Sequence, residues 1–120
     1  MKQTIQELLA AKDALVTKGE IMEAAEKYFA PNIKTIDFDG TVTEGKKATM
    51  EKLEGFLGAI QKVNEITLVH GQGVAADNIS FSEFVFSFDM KDGSKNYWHE
   101  IIHCAWENGQ IVEEQYFRGL

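Results

Sequence analysis

Residues 84–118 read FVFSFDMKDGSKNYWHEIIHCAWENGQIVEEQYFR. Three runs rich in β-formers are separated by Asp92-Gly93 and by Asn108-Gly109. Asn-Gly supplies the two positive-φ residues of a type I′ turn, so it signals a hairpin. With Asn108 and Gly109 as the loop, Glu107 pairs with Gln110. Counting back opposes Ala105 to Val112, His103 to Glu114, Ile101 to Tyr116 and His99 to Arg118. Opposed residues share a face. One face then carries Tyr97, His99, Ile101, His103, Glu114, Tyr116 and Arg118. The other carries Trp98, Glu100, Ile102, Cys104, Trp106, Ile111, Glu113, Gln115 and Phe117.

Upstream, Phe84, Phe86, Phe88 and Met90 alternate with Val85, Ser87 and Asp89. That period of two marks a strand with an aromatic buried side. Read as a second two-residue turn, Asp92-Gly93 puts this stripe on the face of Tyr97, His99, Ile101 and His103. A dry wall with a few converging polar groups is how a small-molecule site is built. One extra loop residue would reverse the relation between neighbouring strands.

The chain has 120 residues, is 44% hydrophobic and carries a net charge of −7. Its length suits one compact domain over residues 1–120. The negative charge argues against nucleic acid or an anionic membrane as partner. No apolar run approaches the ~18 residues of a membrane span. The first residues, MKQTIQELLAAKDALVTKGE, are charged and amphipathic and do not read as a signal peptide. A single cysteine, Cys104, fits a reducing cytoplasm and reads as a small strand residue rather than a nucleophile.

Thr4-Ile5-Gln6-Glu7 matches a capping box, so a first helix starts there. Its apolar stripe is Ile5, Leu8, Leu9, Leu15 and Val16, and Lys12 falls inside it. Lys12 reads either as a snorkelling stem with its ammonium in water or as a cation at a pocket mouth. Gly19 ends the helix; a second follows and stops at Pro31-Asn32. Ile33 to Phe38 is expected as a strand with Asp37 near its end, then a turn at Asp39-Gly40. Gly45 opens a long helix to about Val63, with Leu53, Phe56, Leu57 and Ile60 on its buried side. Ile66 to Val74 is the next strand, with a bulge or bend at Gly71 and Gly73. The turn Ala76-Asp77-Asn78 leads into residues 79–90. Three helices against a largely antiparallel sheet make an α+β layer fold.

In this order KYFAPNIKTIDFDG (Lys27–Gly40), the Gly45-Lys46-Lys47 helix start and WENGQIVEEQYF (Trp106–Phe117) resemble the nuclear transport factor two-like superfamily, SnoaL-like polyketide cyclases included. The resemblance covers nearly the whole chain. It implies a cone of strongly bent mixed or antiparallel sheet wrapped by three helices, an α+β roll. It places Asp37 on the general base of the steroid isomerases, and turns Glu114, Tyr116 and Arg118 toward the cone interior. The isomerase tyrosine and protonated aspartic acid correspond to about Lys12 and to Ile101, so steroid isomerisation is not implied. Neither is epoxide hydrolysis, whose aspartate corresponds to Tyr116.

The expected function is a pocket for a small apolar or amphipathic molecule, possessing or lacking cofactor-free acid–base chemistry on a carbonyl or hydroxyl compound. The expected acid–base unit is His103 with Glu114, since a carboxylate beside an imidazole favours the imidazolium and fixes its tautomer. Asp37 or His99 is the partner. Tyr116, Arg118, Tyr97, Ile101 and Lys12 contact the ligand, and Phe84, Phe86 and Phe88 line the wall. No metal is expected, because His99 and His103 lie roughly 13 Å apart along a strand. The rival reading is a non-catalytic binding or interaction module. The apolar second face, with Trp98, Ile102, Trp106 and Phe117, reads as association surface. The resemblance implies a homodimer through it. The competing assignment makes that face the core and the histidine face the exterior.

Overall fold

A computed structural model describes residues 3–119. Three helices, α1 (Ile5–Thr17), α2 (Ile21–Tyr28) and α3 (Lys46–Gly58), cover one face of a seven-stranded sheet. The strands are β1 (Phe29–Ile36), β2 (Val42–Glu44), β3 (Ile60–Leu68), β4 (Val74–Ala76), β5 (Ile79–Met90), β6 (Lys95–Glu107) and β7 (Gln110–Gly119). The spatial order is β2-β1-β7-β6-β5-β3, with β4 also on β5. β1 runs parallel to β7 and every other pairing is antiparallel. This is the mixed α+β roll that the resemblance implies.

Local chemistry accounts for several boundaries. Thr4 and Glu7 close the capping box in both directions, at 3.1 and 2.9 Å, satisfying donors at the start of α1. Gly19, at φ 83°, ends α1 in the left-handed region. α2 stops at Tyr28, three residues before the expected Pro31, and passes directly into β1. Pro31 is tolerated there because the β1–β7 register shifts between Phe29 and Lys34. α3 ends at Gly58 rather than near Val63, and Ile60–Leu68 is a strand. Two register shifts, between Ile60 and Lys62 and between Val63 and Glu65, break its alternation. The expected strand over 66–74 ends at Leu68. A 3-10 turn, Val69–Gly71, with His70 at φ 64°, leads to the short β4. No helix among the described residues is long and apolar enough to cross a membrane.

Two one-residue shifts decide the interior. Asn108 and Gly109 do form the turn, at φ 51° and 77°, and Glu107 does pair with Gln110. Trp106 then pairs with Ile111 but Ala105 pairs with Glu113, so Val112 is the extra residue of a β-bulge. Beyond it Cys104 opposes Glu114, Ile102 opposes Tyr116 and Glu100 opposes Arg118. The preceding turn is also one residue off. Asp89 pairs with Lys95, and the loop is closed by Met90 N–H to Ser94 O and by Asp92 Oδ1 accepting from Ser94. Phe88 therefore opposes Asn96, Phe86 opposes Trp98 and Phe84 opposes Glu100.

The consequence is a correction to the expected faces. Trp98, Glu100, Ile102, Cys104 and Trp106 point to the helices, together with the Phe stripe and with Glu114, Tyr116 and Arg118. Tyr97, His99, Ile101 and His103 lie on the outer face; Tyr97 is 66% and Ile101 41% exposed. The competing assignment therefore holds for β6. Trp98, Ile102 and Trp106 are not association surface, and only Phe117 of that set is outward. The two shifts cancel between β5 and β7, so the Phe stripe and Glu114, Tyr116 and Arg118 share a face as expected while β6 is inverted. The core is built on that face, with Trp106, Phe84, Phe88, Leu9, Ile33 and Ile111 among its most deeply buried side chains.

Candidate functional site

Between the helices and this inner face lies a cavity of about 510 Å³. Val16, Ile21, Ala24, Ala25 and Phe29 contribute from α1, α2 and the start of β1; Leu53, Phe56 and Leu57 from α3; Phe86, Phe88, Trp98 and Ile102 from the sheet. Phe56, Phe88 and Trp98 pack together, with ring centres 5.1 to 5.8 Å apart. Phe84, expected on the wall, is fully buried and stacks on Phe86 at 5.2 Å without lining the cavity.

Polar groups enter this wall at a few points. Lys12 is 4% exposed, so it neither snorkels nor stands at the mouth. The α1 stripe that buries Leu9 and Val16 carries it inward. Its ammonium lies 3.6 Å from Asp13 Oδ1, 3.9 Å from Glu114 Oε2 and 3.9 Å from Cys104 Sγ. Glu114 is fully engaged: Tyr116 donates to Oε1 at 2.6 Å and the Cys104 thiol to Oε2 at 3.2 Å. Asp13 Oδ2 accepts from Ser82 at 2.5 Å.

Burial drives the proton affinities in this cluster. It pulls the Lys12 ammonium down, but the neighbouring groups outweigh it and hold the amine above its ordinary value. Burial also keeps the Cys104 thiol protonated, so Glu114 and Asp13 supply that opposing field. Burial raises the Asp13 carboxyl, opposed by Lys12. Burial, then the charge of Glu114, raises the Tyr116 phenol. A charged Lys12 is no amine nucleophile and a protonated Cys104 no thiolate nucleophile. The cluster holds hydrogen-bond donors in place.

Nearer solvent, Asp37 is held by Lys52 of α3, which also reaches Thr43 Oγ1 at 3.5 Å. Arg118 donates to Glu100 Oε1 at 3.3 Å and is sandwiched between Trp98 and Phe38, with its Cζ 3.8 and 4.1 Å from the ring centres. Glu100 is 6% exposed, and burial raises its carboxyl, with Arg118 opposing.

Of the residues singled out in the sequence, Lys12, Asp37, Phe86, Phe88, Glu114, Tyr116 and Arg118 line one cavity. His103 and His99 are corrected. The bulge moves Gln115 opposite His103, and its ring packs against Phe81 at 5.1 Å. His99 Nε2 meets Glu83 at 2.5 Å on the outer face, away from Arg118. Tyr97 and Ile101 likewise make no part of the cavity. The described residues contain no cluster of three metal-ligating side chains. Sequence reasoning missed Glu100, Trp98, Thr35, Thr49 and Lys52, which all line the cavity. Glu100 and Trp98 were legible as members of the stripe Trp98-Glu100-Ile102-Cys104-Trp106. Thr49 sits four and seven residues before Leu53 and Phe56, on the same helical stripe.

No family model matches this chain, and no curated protein matches it. Solved structures do. A Mesorhizobium loti protein assigned to the SnoaL-like polyketide cyclases superposes with a TM-score of 0.84 at 24% identity, over 96% of this chain and 99% of that one. A Pseudomonas putida protein assigned as a polyketide cyclase gives 0.76 at 16% identity, over 99% and 94%. A Catenulispora acidiphila protein with a ketosteroid isomerase-like fold, in complex with trimethylamine, gives 0.75 at 18% identity, over 98% and 88%. These likenesses show the fold: the chain has the nuclear transport factor two-like fold of the SnoaL-like proteins.

The raised Glu100 carboxyl has a measurable signature. The folded state holds its proton to a higher pH than the unfolded chain does. By linkage this group's contribution is fully present below the unfolded value and is lost as pH rises through the folded one. Glu100→Gln has no such titration. The variant should therefore gain stability relative to wild type as pH rises from the ordinary glutamate range upward. Urea unfolding at a series of pH values reads the gap, and a gap independent of pH would contradict the raised carboxyl.

Proposed function

We propose that this nuclear transport factor two-like chain binds a small, neutral, largely apolar molecule bearing oxygen. The observation that carries this reading is the cavity itself: about 510 Å³, with aromatic and aliphatic walls and polar side chains that are largely paired with one another. Neutrality follows from pairing. Each of the three lining cations already faces a carboxylate: Lys12 with Glu114, Lys52 with Asp37, Arg118 with Glu100. An anionic ligand would have to break one of these pairs, and a cationic one would have to compete with the cation for its carboxylate everywhere but at the exposed rim, where Asp39 accepts only from the Thr41 N–H. A carbonyl or hydroxyl needs neither.

A second reading, acid–base catalysis on such a molecule, is favoured by Glu100. It lies in the cavity wall with its proton affinity raised by burial, the direction in which a carboxyl general acid is tuned. Asp37 is the other candidate, at the mouth beside Lys52. Glu114 is better suited to structure, since both its oxygens are engaged. Binding without turnover is the primary reading because Glu100 and Asp37 are also ion-paired.

Nile red, a neutral carbonyl dye, tests the pocket. Wild-type protein should bind it saturably with a rise in emission. Leu53→Trp, which narrows the cavity from α3, should weaken binding at least roughly tenfold, as loss of about 1.4 kcal/mol does, while circular dichroism stays unchanged. Absence of saturable binding to wild type, or binding untouched by Leu53→Trp, would sink the pocket reading.

The homodimer we propose uses the outer face of the sheet, to which, of the residues first expected, Phe117 alone belongs. Phe81, Tyr97, Ile101 and Phe117 are 41–66% exposed on the outer side of β5, β6 and β7, with Ile101 directly opposite Phe117. Such contiguous apolar surface suits a second copy. Sedimentation velocity should show a dimer for wild type and a monomer for Ile101→Glu; a wild-type monomer at all concentrations would remove the proposal.

A further inference from the structure

Of the residues that line the cavity, Thr35, Thr49, Glu100 and Glu114 are buried and carry side-chain oxygen. Three of them are accounted for. Glu114 accepts from Tyr116 and Cys104, and Glu100 accepts from Arg118. The Thr49 hydroxyl is unpaired but sealed from solvent, as are Asp13 Oδ1 and His103 Nδ1 among the described residues. Thr35 is different. The hydroxyls of Thr4, Thr17, Thr43 and Thr67 each make a hydrogen bond, whereas that of Thr35 makes none among the described residues. Nor is it one of the sealed atoms, so its oxygen has open surface. The residue is only 4% exposed and set in the cavity wall, so that opening is the cavity. An enclosed hydroxyl without a protein partner is free to pair with whatever enters.

We infer that Thr35 is a specificity-determining residue whose hydroxyl pairs with a ketone or alcohol oxygen at one end of an elongated apolar molecule. The inference rests on the pocket reading above and adds where along the cavity that oxygen is read. β1 turns Thr35 inward on the same side as Ile33. Thr35 pairs with Glu114 of β7, and Glu114 opposes Cys104 of β6, so the three share one row across the sheet. The acceptor beside Thr35 in that row is already engaged, since both Glu114 oxygens take their protons from Tyr116 and Cys104. Trp98 lies six residues before Cys104 on β6, roughly 20 Å along the strand. Phe88 lies further along still, opposite Asn96. The Thr35 row and the aromatic wall thus stand at opposite ends of the inner face. A molecule with its oxygen at Thr35 lays its apolar body along that face toward Phe86 and Trp98.

The test uses Thr35→Val and Thr35→Ser with two probes of nearly one outline, 2-acetylnaphthalene and 2-ethylnaphthalene, which differ by a carbonyl in place of a methylene. Valine keeps the branched shape and suits a strand. Since the hydroxyl has no protein partner to lose, the melting temperature of Thr35→Val should stay within about 3 °C of wild type. In equilibrium dialysis the same change should weaken 2-acetylnaphthalene binding by roughly three- to tenfold and leave 2-ethylnaphthalene binding unchanged. Thr35→Ser, which restores the hydroxyl, should keep the selectivity of wild type. Equal effects of Thr35→Val on both probes, or none on either, would overturn the inference. So would a Thr35→Ser protein that behaves like Thr35→Val, or a larger fall in melting temperature, which would reveal a structural partner for the hydroxyl. If wild type binds neither probe, the pocket reading itself fails and the role of Thr35 falls with it.

Discussion

Strand alternation makes the extra residue at Val112 the constraint on which the site depends. Side chains along a strand alternate strictly, so a single inserted residue reverses every side chain beyond it relative to the partner strand. Without that bulge, Glu114, Tyr116 and Arg118 would face the same side as His103, Ile101 and His99. With it, they face Cys104, Ile102 and Glu100. The five-residue connection at 90–94 performs the same reversal between β5 and β6. Together the two features bring the Phe stripe, Glu100 and Glu114 to one wall and turn both histidines of β6 away from it.

Much of the architecture was legible because its signals are local. The capping box at Thr4–Glu7, the left-handed glycine after α1 and the Asn-Gly turn each depend on a few adjacent residues. The period-two Phe stripe is also local, and β5 buries it as read. β3 was less legible because its register shifts twice, and of its apolar residues Ile60, Ile66 and Leu68 pack against the core while Val63 is exposed. The inner side of β6 was misread for a related reason. Neither the bulge nor the odd loop leaves a mark in composition: Val112 is an ordinary β-former, and Asp92-Gly93 suits loops of several lengths. Lys12 could be placed on the α1 stripe, but its deep burial depends on Cys104 of β6 and Glu114 of β7 meeting it there.

The electrostatics of the cavity follow from that assembly. Three cations and their carboxylate partners line the cavity, each pair joining different elements: α1 to β7, α3 to the residue after β1, and β7 to β6. Buried ion pairs contribute little net stability beside well-packed apolar groups, so their presence here fits a role in fixing which side chains present donors to the interior. Cys104 and Tyr116, both held protonated, extend the same arrangement as donors to Glu114. A fold shared with proteins of differing assignments specifies none of this; the named side chains do.

Thiol accessibility along β6 tests the inward and outward assignment most directly. The native Cys104 is fully buried and should stay silent toward Ellman's reagent until the protein unfolds. Introduced singly, Ile101→Cys should react at a rate near that of a free thiol, while Ile102→Cys should be protected in the folded protein. Fast reaction at 102 with protection at 101 would place the histidine side of β6 in the interior, and would contradict a cavity walled by Trp98, Glu100 and Ile102.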